Sequence, residues 1–237
     1  MISTALRVAV VILSFVMSSG TQAGAELRVG VGLGMEEVVG TSKGQISGIL
    51  APIYRCVFDK ANVDARFVSV PVKRGLQYLR SDQISVLLPL ARNAKRDGMA
   101  TFAGTLFEAE YVFVSYKPLL AVEGTPGLRY AIPRSFIGRQ FIPDESANIQ
   151  EVTEWQQLVA LLAHGRVDVA IIPEPMVEPL FGAGAEQIYS RTAGRLPVSM
   201  YLSDATEQSG LAERIRRSVE LCRVDGPIQR GRLTDGG

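Results

Sequence analysis

Hydrophobic positions along this chain form short apolar runs that are separated by stretches with helical spacing. A continuous apolar run is typical of a strand buried on both faces, and apolar residues three and four apart are typical of a helix. These patterns predict strands at Leu27–Val31, Ala65–Val70, Ile84–Leu90, Tyr111–Tyr116, Leu128–Ile132, Val167–Ile172 and Val198–Leu202. They predict helices at Gly48–Lys60, after Pro71, between Thr153 and Gly165, and up to Cys222. Strands that alternate with helices in this way predict an α/β fold of helix-covered, mainly parallel sheets.

The helix between Thr153 and Gly165 carries two local signals at its ends. Thr153 and Gln156 have the spacing of a capping box, in which the hydroxyl and the amide close the first turn. Trp155 lies on the apolar stripe of this helix, so we interpret it as a core residue. His164 precedes the glycine that ends the helix, where the helix dipole favours it, and this explains the residue without a catalytic role.

The first 25 residues have the pattern of a secretory signal peptide. Arg7 is the only charged side chain before Glu26, an apolar run follows from Val8 to Met17, and small residues end at Ala25. The apolar run is about half of the ~20 residues that a membrane helix needs. We therefore predict export to the periplasm with cleavage after Ala25. Because Glu26 rather than a cysteine would follow the cut, we expect no lipid anchor there.

Charge and composition exclude several classes of function. The chain of 237 residues has a formal net charge of +1, and removal of the leader with its one arginine makes the remainder neutral. A protein whose main partner is nucleic acid carries a surplus of lysine and arginine, so no nucleic-acid partner is expected. One histidine and two cysteines are too few for most zinc, haem and iron–sulfur sites, and we expect neither a metal nor a cofactor.

The two cysteines have a clear interpretation once the chain is exported. Cysteine pairs in an oxidising compartment normally form a disulfide. Cys56 and Cys222 both fall on apolar helical stripes, where a reactive thiol would be inert. We predict a Cys56–Cys222 disulfide that joins an early helix to the last one.

A stretch rich in proline and glycine, from Lys117 to Gly127, divides the chain into two α/β units. The proposed disulfide requires the chain to return to the first unit after it has built the second. We therefore predict one lobe at 26–116, a second lobe at 117–197, and a return to the first lobe at 198–237 with a terminal helix and a polar tail. Two crossings between lobes create a cleft, where α/β sheets bind ligands.

Several short sequences in a fixed order carry a resemblance to a known family. They are Leu27-Arg28-Val29-Gly30 at the start of the fold, Val70-Pro71-x-x-Arg74 before a helix, Lys95-Arg96 followed by Phe102, and Leu161-Leu162-x-x-Gly165-Arg166-Val167-Asp168. With these marks, residues 26–225 resemble the bacterial periplasmic solute-binding proteins of the polar-amino-acid type, family 3. The resemblance implies the two-lobed type 2 periplasmic-binding-protein fold.

The resemblance also implies roles for particular residues. Arg96 matches the arginine that grips the carboxylate of the ligand in a bidentate pair. Glu174 lies near the position of the acid that receives the ligand's ammonium group, and it follows a buried strand. Ser135 lies in the turn that offers donors to the carboxylate, or it caps a helix. Glu36 follows the first strand, where the family places an aromatic residue, and Arg74 either lines the cleft or caps its helix and pairs with Asp82.

The leading hypothesis is therefore a monomeric periplasmic binding protein without catalytic activity, which closes its lobes on a small polar or carboxylate-bearing solute. Its partner would be an inner-membrane permease of the ABC type or a sensor. One alternative is a dehydratase-like enzyme on the same fold, in which Glu174 or Glu36 is the general acid or base. Another is an accessory protein of a periplasmic redox enzyme, with a cleft that has lost its ligand.

Overall fold

The computed structural model describes residues 26–118, 122, 125–143, 147–226 and 228. The predicted leader and all but the start of the polar tail lie outside these residues. The strands within the described part of the chain are β1 (Leu27–Gly32), β2 (Gly40–Ser42), β3 (Gln45–Ser47), β4 (Ala65–Val70), β5 (Val86–Ala91), β6 (Thr101–Phe102), β7 (Phe107–Ser115), β8 (Arg129–Pro133), β9 (Asn148–Val152), β10 (Val169–Pro173) and β11 (Tyr189–Leu202). The α-helices there are α1 (Ala51–Lys60), α2 (Val72–Arg80), α3 (Ala94–Asp97), α4 (Gln156–Ala163), α5 (Val177–Phe181), α6 (Asp204–Gln208) and α7 (Leu211–Leu221).

One sheet of nine strands runs through the molecule in the order β4-β1-β5-β11-β7-β10-β8-β9, with β6 paired to β11. Strands β4, β1 and β5 are parallel to each other, and so are β10, β8 and β9. We call these two groups the first and second halves of the sheet. The antiparallel strands β7 and β11 lie between them. The expectation of an α/β fold with mainly parallel strands is confirmed.

The long strand β11 connects the two halves. Residues 189–198 of β11 pair with β7, and residues 198–202 pair with β5. The C-terminal end of β11 is fully buried, with Met200, Tyr201 and Leu202 each 0% exposed. The sequence predicted only this buried end as a strand, because residues 189–197 include several polar side chains and are exposed or half-buried.

Two details of the predicted helices are wrong. Helix α1 begins at Ala51 rather than Gly48, because the chain first forms the β2–β3 hairpin and because Pro52 fits the first turn of a helix. The capping box at Thr153 does not form. Helix α4 begins after Trp155, and the Gln157 side chain accepts hydrogen bonds from the amides of Thr153 and Glu154 instead.

The predicted Cys56–Cys222 disulfide is present and spans a sequence separation of 166 residues. Cys56 lies in α1, and Cys222 is the C-cap of α7. The bond therefore attaches the last helix to the first half of the sheet. None of the helices in the described ranges is both long and apolar enough to cross a membrane.

Candidate functional site

The candidate residues follow the carboxyl ends of parallel strands in both halves of the sheet. Glu36 lies in the loop after β1, Arg96 in the short helix after β5, Ser135 in the turn after β8, and Glu174 directly after β10. Arg74 lies in α2, which follows β4. Ligands of open α/β sheets bind at this end of the strands, so the topology gives each of these positions a place where a ligand can bind.

Arg96 is held in place by the segment that follows β5. The Asn93 side chain accepts a hydrogen bond of 2.8 Å from the Arg96 amide and so caps α3. The Tyr201 hydroxyl donates to the Asp97 carboxylate at 2.7 Å and accepts from the Asn93 amide at 3.3 Å. These bonds attach both ends of the helix to β11, and therefore they fix the backbone from which the Arg96 side chain extends.

Among the described residues, the Arg96 guanidinium is buried without an acidic partner. The residue is 6% exposed, and its Nη1 donates a hydrogen bond of 2.6 Å to the Ala91 carbonyl. No carboxylate of the described residues lies within ion-pairing distance of it. Burial lowers the pKa of Arg96, whereas Tyr201 and Tyr111 act in the opposite direction. A buried cation is usually paired, so this site has a positive charge that an anion can neutralise.

The polar residues Tyr54, Tyr111 and Ser199 are also buried in the core. Tyr111 is 4% exposed, and burial raises its pKa while the charge of Arg96 acts in the opposite direction. The Tyr54 hydroxyl donates to the Ser199 carbonyl at 3.1 Å, and the Ser199 hydroxyl is a buried group that has no partner among the described residues. One buried hydroxyl, that of Ser199, thus stands out from the rule that buried polar groups are hydrogen-bonded.

Glu174 belongs to a different group of residues. Glu110 of β7 accepts hydrogen bonds from Arg195 at 2.8 Å and from Thr192 at 2.8 Å, and these bonds lower its pKa. Partial burial and the neighbouring charge of Glu110 raise the pKa of Glu174. Because Glu110 and Tyr111 are consecutive in a strand, their side chains project from opposite faces. The charge of Glu110 thus acts on Glu174, whereas the charge of Arg96 acts on Tyr111.

The remaining candidates have mainly local contacts. Glu36 is exposed and accepts a hydrogen bond of 2.9 Å from the Gly34 amide. Ser135 is exposed at a positive φ of 62°, and the 3₁₀ turn that follows begins after Phe136 rather than after Ser135. Within the described ranges, no hydrogen bond or ion pair joins any two of the five candidate residues.

Arg74 is exposed on α2, and the alternative that pairs it with Asp82 is not realised. Asp82 instead accepts a hydrogen bond of 3.1 Å from the Ala205 amide. Two open hollows of about 410 and 380 Å³ indent the surface elsewhere, and neither is lined by a candidate residue.

The residue patterns did not identify the aromatic contacts of Tyr111. Tyr111 and Phe136 have ring centroids 5.8 Å apart, and Phe136 and Trp155 have ring centroids 5.0 Å apart. Trp155 is buried at 9% exposure, which confirms its assignment to the core. The position of Phe136 directly after Ser135, in a turn that follows a strand, was the signal that could have identified it as a neighbour of the site.

Comparison with known proteins identifies the fold but not a family. No protein-family profile matches the chain, and no curated protein matches it. The solved structures that it resembles include a histidine kinase sensor domain with similarity to periplasmic binding proteins, at 13% identity and a TM-score of 0.72 over 83% of this chain and 90% of that one. The ligand-binding core of GluR0 in complex with L-glutamate matches at 16% identity and a TM-score of 0.71, over 84% of this chain and 92% of the other.

A third similar structure is the arginine-, lysine- and histidine-binding protein ArtJ from Geobacillus stearothermophilus, at 14% identity and a TM-score of 0.66 over 83% of this chain and 88% of that one. At these identities the likeness establishes the fold alone. The chain therefore has the two-lobed type 2 fold of the periplasmic binding proteins, as its resemblance to family 3 implied.

Proposed function

We propose that this protein is a periplasmic receptor that binds a small carboxylate-bearing solute at Arg96. The observation that carries the proposal is the buried guanidinium without an acidic partner in the described part of the chain. A carboxylate accepts two parallel hydrogen bonds from a guanidinium, and such a pair is among the strongest in proteins. The ligand would thus supply the negative charge that the site lacks.

The fold supports the same function from an independent direction. Similar structures include a protein that binds arginine, lysine and histidine, a receptor core bound to L-glutamate and a sensor domain. In this proposal, residues 26–116 and 198–237 form one lobe and residues 117–197 form the other, and the solute favours the closed arrangement of the two. The disulfide fits an oxidising compartment. A permease or a sensor of the inner membrane would then recognise the closed state.

The grouping of the carboxylates favours binding over catalysis. A dehydratase that holds its substrate by Arg96 needs its general acid or base at the same substrate. The pKa of Glu174 is instead raised by burial and by the charge of Glu110. Glu36 is exposed and engaged with the Gly34 amide. No hydrogen bond or ion pair of the described residues joins either acid to Arg96, and this supports the binding proposal over the dehydratase alternative.

The test is a ligand screen on protein purified from the periplasm after expression of the full chain. N-terminal sequencing is expected to begin at Glu26. Thermal shift and the fluorescence of Trp155, which is the single tryptophan of the chain, are followed with a panel of carboxylates and matched uncharged amides. A ligand at 100 times its Kd adds about 2.7 kcal/mol of stability, so a carboxylate ligand will raise Tm measurably.

Two arginine variants decide whether the effect belongs to the proposed site. Arg96→Gln is expected to abolish the carboxylate response, and Arg195→Gln, at a paired arginine on the other face of the sheet, is expected to leave it unchanged. The proposal is overturned if no carboxylate stabilises the protein, or if Arg96→Gln responds as the wild type does. The first of these results would favour the accessory-protein alternative.

A further inference from the structure

A contact between Gly34 and Trp155 joins the first half of the sheet to the second. Gly34 lies in the loop after β1, and Trp155 is the N-cap of α4, which follows β9. A Cβ atom built on Gly34 would lie 2.5 Å from Cδ1 and 3.0 Å from Nε1 of Trp155. The edge of the indole ring therefore lies directly against the backbone of the loop, and a side chain at position 34 would collide with it.

This contact connects strands that are far apart in the sheet. Six steps separate β1 from β9 in the strand order β1-β5-β11-β7-β10-β8-β9. Neighbouring strands lie about 4.8 Å apart, so β1 and β9 would be roughly 29 Å apart in a flat sheet. The sheet is curled, and Gly34 and Trp155 touch at residues that follow these two strands. The contact therefore spans the space between the two halves.

On the side of the second half, the indole is held by its own neighbours. Phe136, in the turn after β8, packs edge-on against the Trp155 ring with centroids 5.0 Å apart. The Gln157 side chain accepts hydrogen bonds of 3.0 and 3.2 Å from the amides of Thr153 and Glu154, which fixes the backbone just before Trp155. The orientation of the ring is thus set within the second half of the sheet.

On the side of the first half, the loop after β1 has a defined shape. Gly34 has a φ of +93°, which favours glycine, and its amide donates a hydrogen bond of 2.9 Å to the Glu36 carboxylate. The Leu33 amide donates to the Val70 carbonyl at 3.0 Å, which attaches the loop to the end of β4. Both surfaces are therefore ordered by their own half, and bringing them together costs little further conformational entropy.

We propose that Gly34 and Trp155 form a latch, a contact between the lobes that favours their closed arrangement. This inference rests on the proposed function, in which two lobes close on a solute. Opening about β7 and β11, the strands that connect the two halves, would separate Gly34 from Trp155 and expose the indole. Both partners belong to the chain, so the contact favours closure with and without a solute. The latch would then set how much of the receptor is closed before a solute binds.

Small-angle X-ray scattering and amide exchange of the full mature protein, without a solute, test the latch. Gly34→Ala places a Cβ atom against the indole, and Gly210→Ala is the matched control, with a φ of +73° and open space around the added Cβ. Relative to this control, Gly34→Ala is expected to have a larger radius of gyration. Its hydrogen–deuterium exchange at residues 33–36 is expected to be at least about tenfold faster. The inference is overturned if either quantity is the same in the two variants.

Removal of the ring tests the same contact from the second half. Trp155→Leu keeps an apolar side chain and is expected to increase the radius of gyration as Gly34→Ala does, and Trp155→Phe replaces it if circular dichroism shows that it is unfolded. Adding Gly34→Ala to the Trp155 variant is expected to change the radius no more than Gly210→Ala does, because the added Cβ no longer meets the indole. Additive effects of the two substitutions overturn the inference.

These measurements are independent of the test of the proposed function. They use no ligand, so the latch can fail while a carboxylate still raises the Tm of the wild type and not that of Arg96→Gln. Conversely, the carboxylate screen can fail while Gly34→Ala still opens the lobes. The two results together therefore show which of the two proposals is wrong.

Discussion

Arg195 and Arg96 have opposite environments: one lies in β11, and the other lies in the short helix α3, which is hydrogen-bonded to β11. Arg195 is exposed over 56% of its side chain and donates two hydrogen bonds, of 3.0 and 2.8 Å, to one oxygen of Glu110. Arg96 is 6% exposed and has the Ala91 carbonyl as the acceptor of its side chain in the described structure. The exposed charge is thus fully paired and the buried charge is not.

The two environments distinguish an arginine with a structural role from one that is a candidate for binding. An exposed, paired arginine contributes a little stability and needs no further explanation, because water and its carboxylate satisfy it. A buried, unpaired arginine costs several kcal/mol of stability, and a site that keeps one is a candidate for anion binding. Arg195, which is paired with Glu110, is therefore the internal control for experiments on Arg96.

The largest expected effect on stability comes from removal of the Cys56–Cys222 disulfide. The Cys56→Ser/Cys222→Ser double variant loses a cross-link over 166 residues, and the entropic model gives a loss of about 5 kcal/mol in the free energy of unfolding. Urea unfolding followed by circular dichroism measures it. The preference among ligands is expected to stay unchanged wherever the variant is folded. A loss below about 1 kcal/mol would show that the cross-link does not constrain the unfolded chain as the model assumes.

The next largest effect on stability is expected at Gly34, whose backbone contacts the Trp155 ring. Gly34→Ala places a Cβ atom 2.5 Å from the Trp155 ring at a φ of +93°. Gly210→Ala is the matched control, because its φ is +73° and no atom lies within 4 Å of the added Cβ. We expect Gly34→Ala to cost about 1 to 3 kcal/mol more than the control, and to shift the fluorescence of Trp155. Equal losses in the two variants would contradict the contact between Gly34 and the indole.

The smallest effect on stability is expected at Glu110, and it depends on pH. Because the pKa of Glu110 is lowered in the folded protein, its carboxylate stabilises the fold above the ordinary value of 4.5, and this contribution is lost as the pH falls through the lowered pKa. Glu110→Gln is expected to lower Tm at pH 7 by about 1 to 4 °C and to match the wild type in acid.

Glu174→Gln is the control of opposite sign. The pKa of Glu174 is raised, so its charged form opposes folding above that pKa. This variant is therefore expected to raise Tm slightly at pH 7 and to have no effect in acid. A fall in Tm at pH 7 for Glu174→Gln would contradict the electrostatic grouping of Glu174 with Glu110.

Local patterns predicted the buried strands well and the exposed ones poorly. Strand β4 has the predicted bounds, and it packs on both faces, since Phe67 and Val70 are buried in different core clusters. Strand β9 was not predicted, since its residues are mostly polar and exposed at the edge of the sheet. The disulfide was predictable because both cysteines lie on apolar stripes and the chain has an export signal.

The candidate site could be predicted only as positions along the chain. Arg96 follows from the resemblance and its spacing, but its burial and its lack of an acidic partner depend on tertiary packing. Glu174 was grouped with Arg96 because the resemblance assigns both residues to the ligand. The neighbours of Glu174 depend on the register of β10 with β7, in which Pro173 is paired with Tyr111. The register is set by the whole sheet and is not visible in one strand.

The most direct test of the central claim is the Tm of Arg96→Met with and without the carboxylate that stabilises the wild type most. If the buried guanidinium is kept for anion binding, an apolar side chain of similar length will raise Tm in the absence of ligand and eliminate the ligand-dependent shift. Arg195→Met, measured in parallel, is expected to lower Tm slightly and to keep the shift. A lower ligand-free Tm for Arg96→Met together with a retained shift would contradict the account.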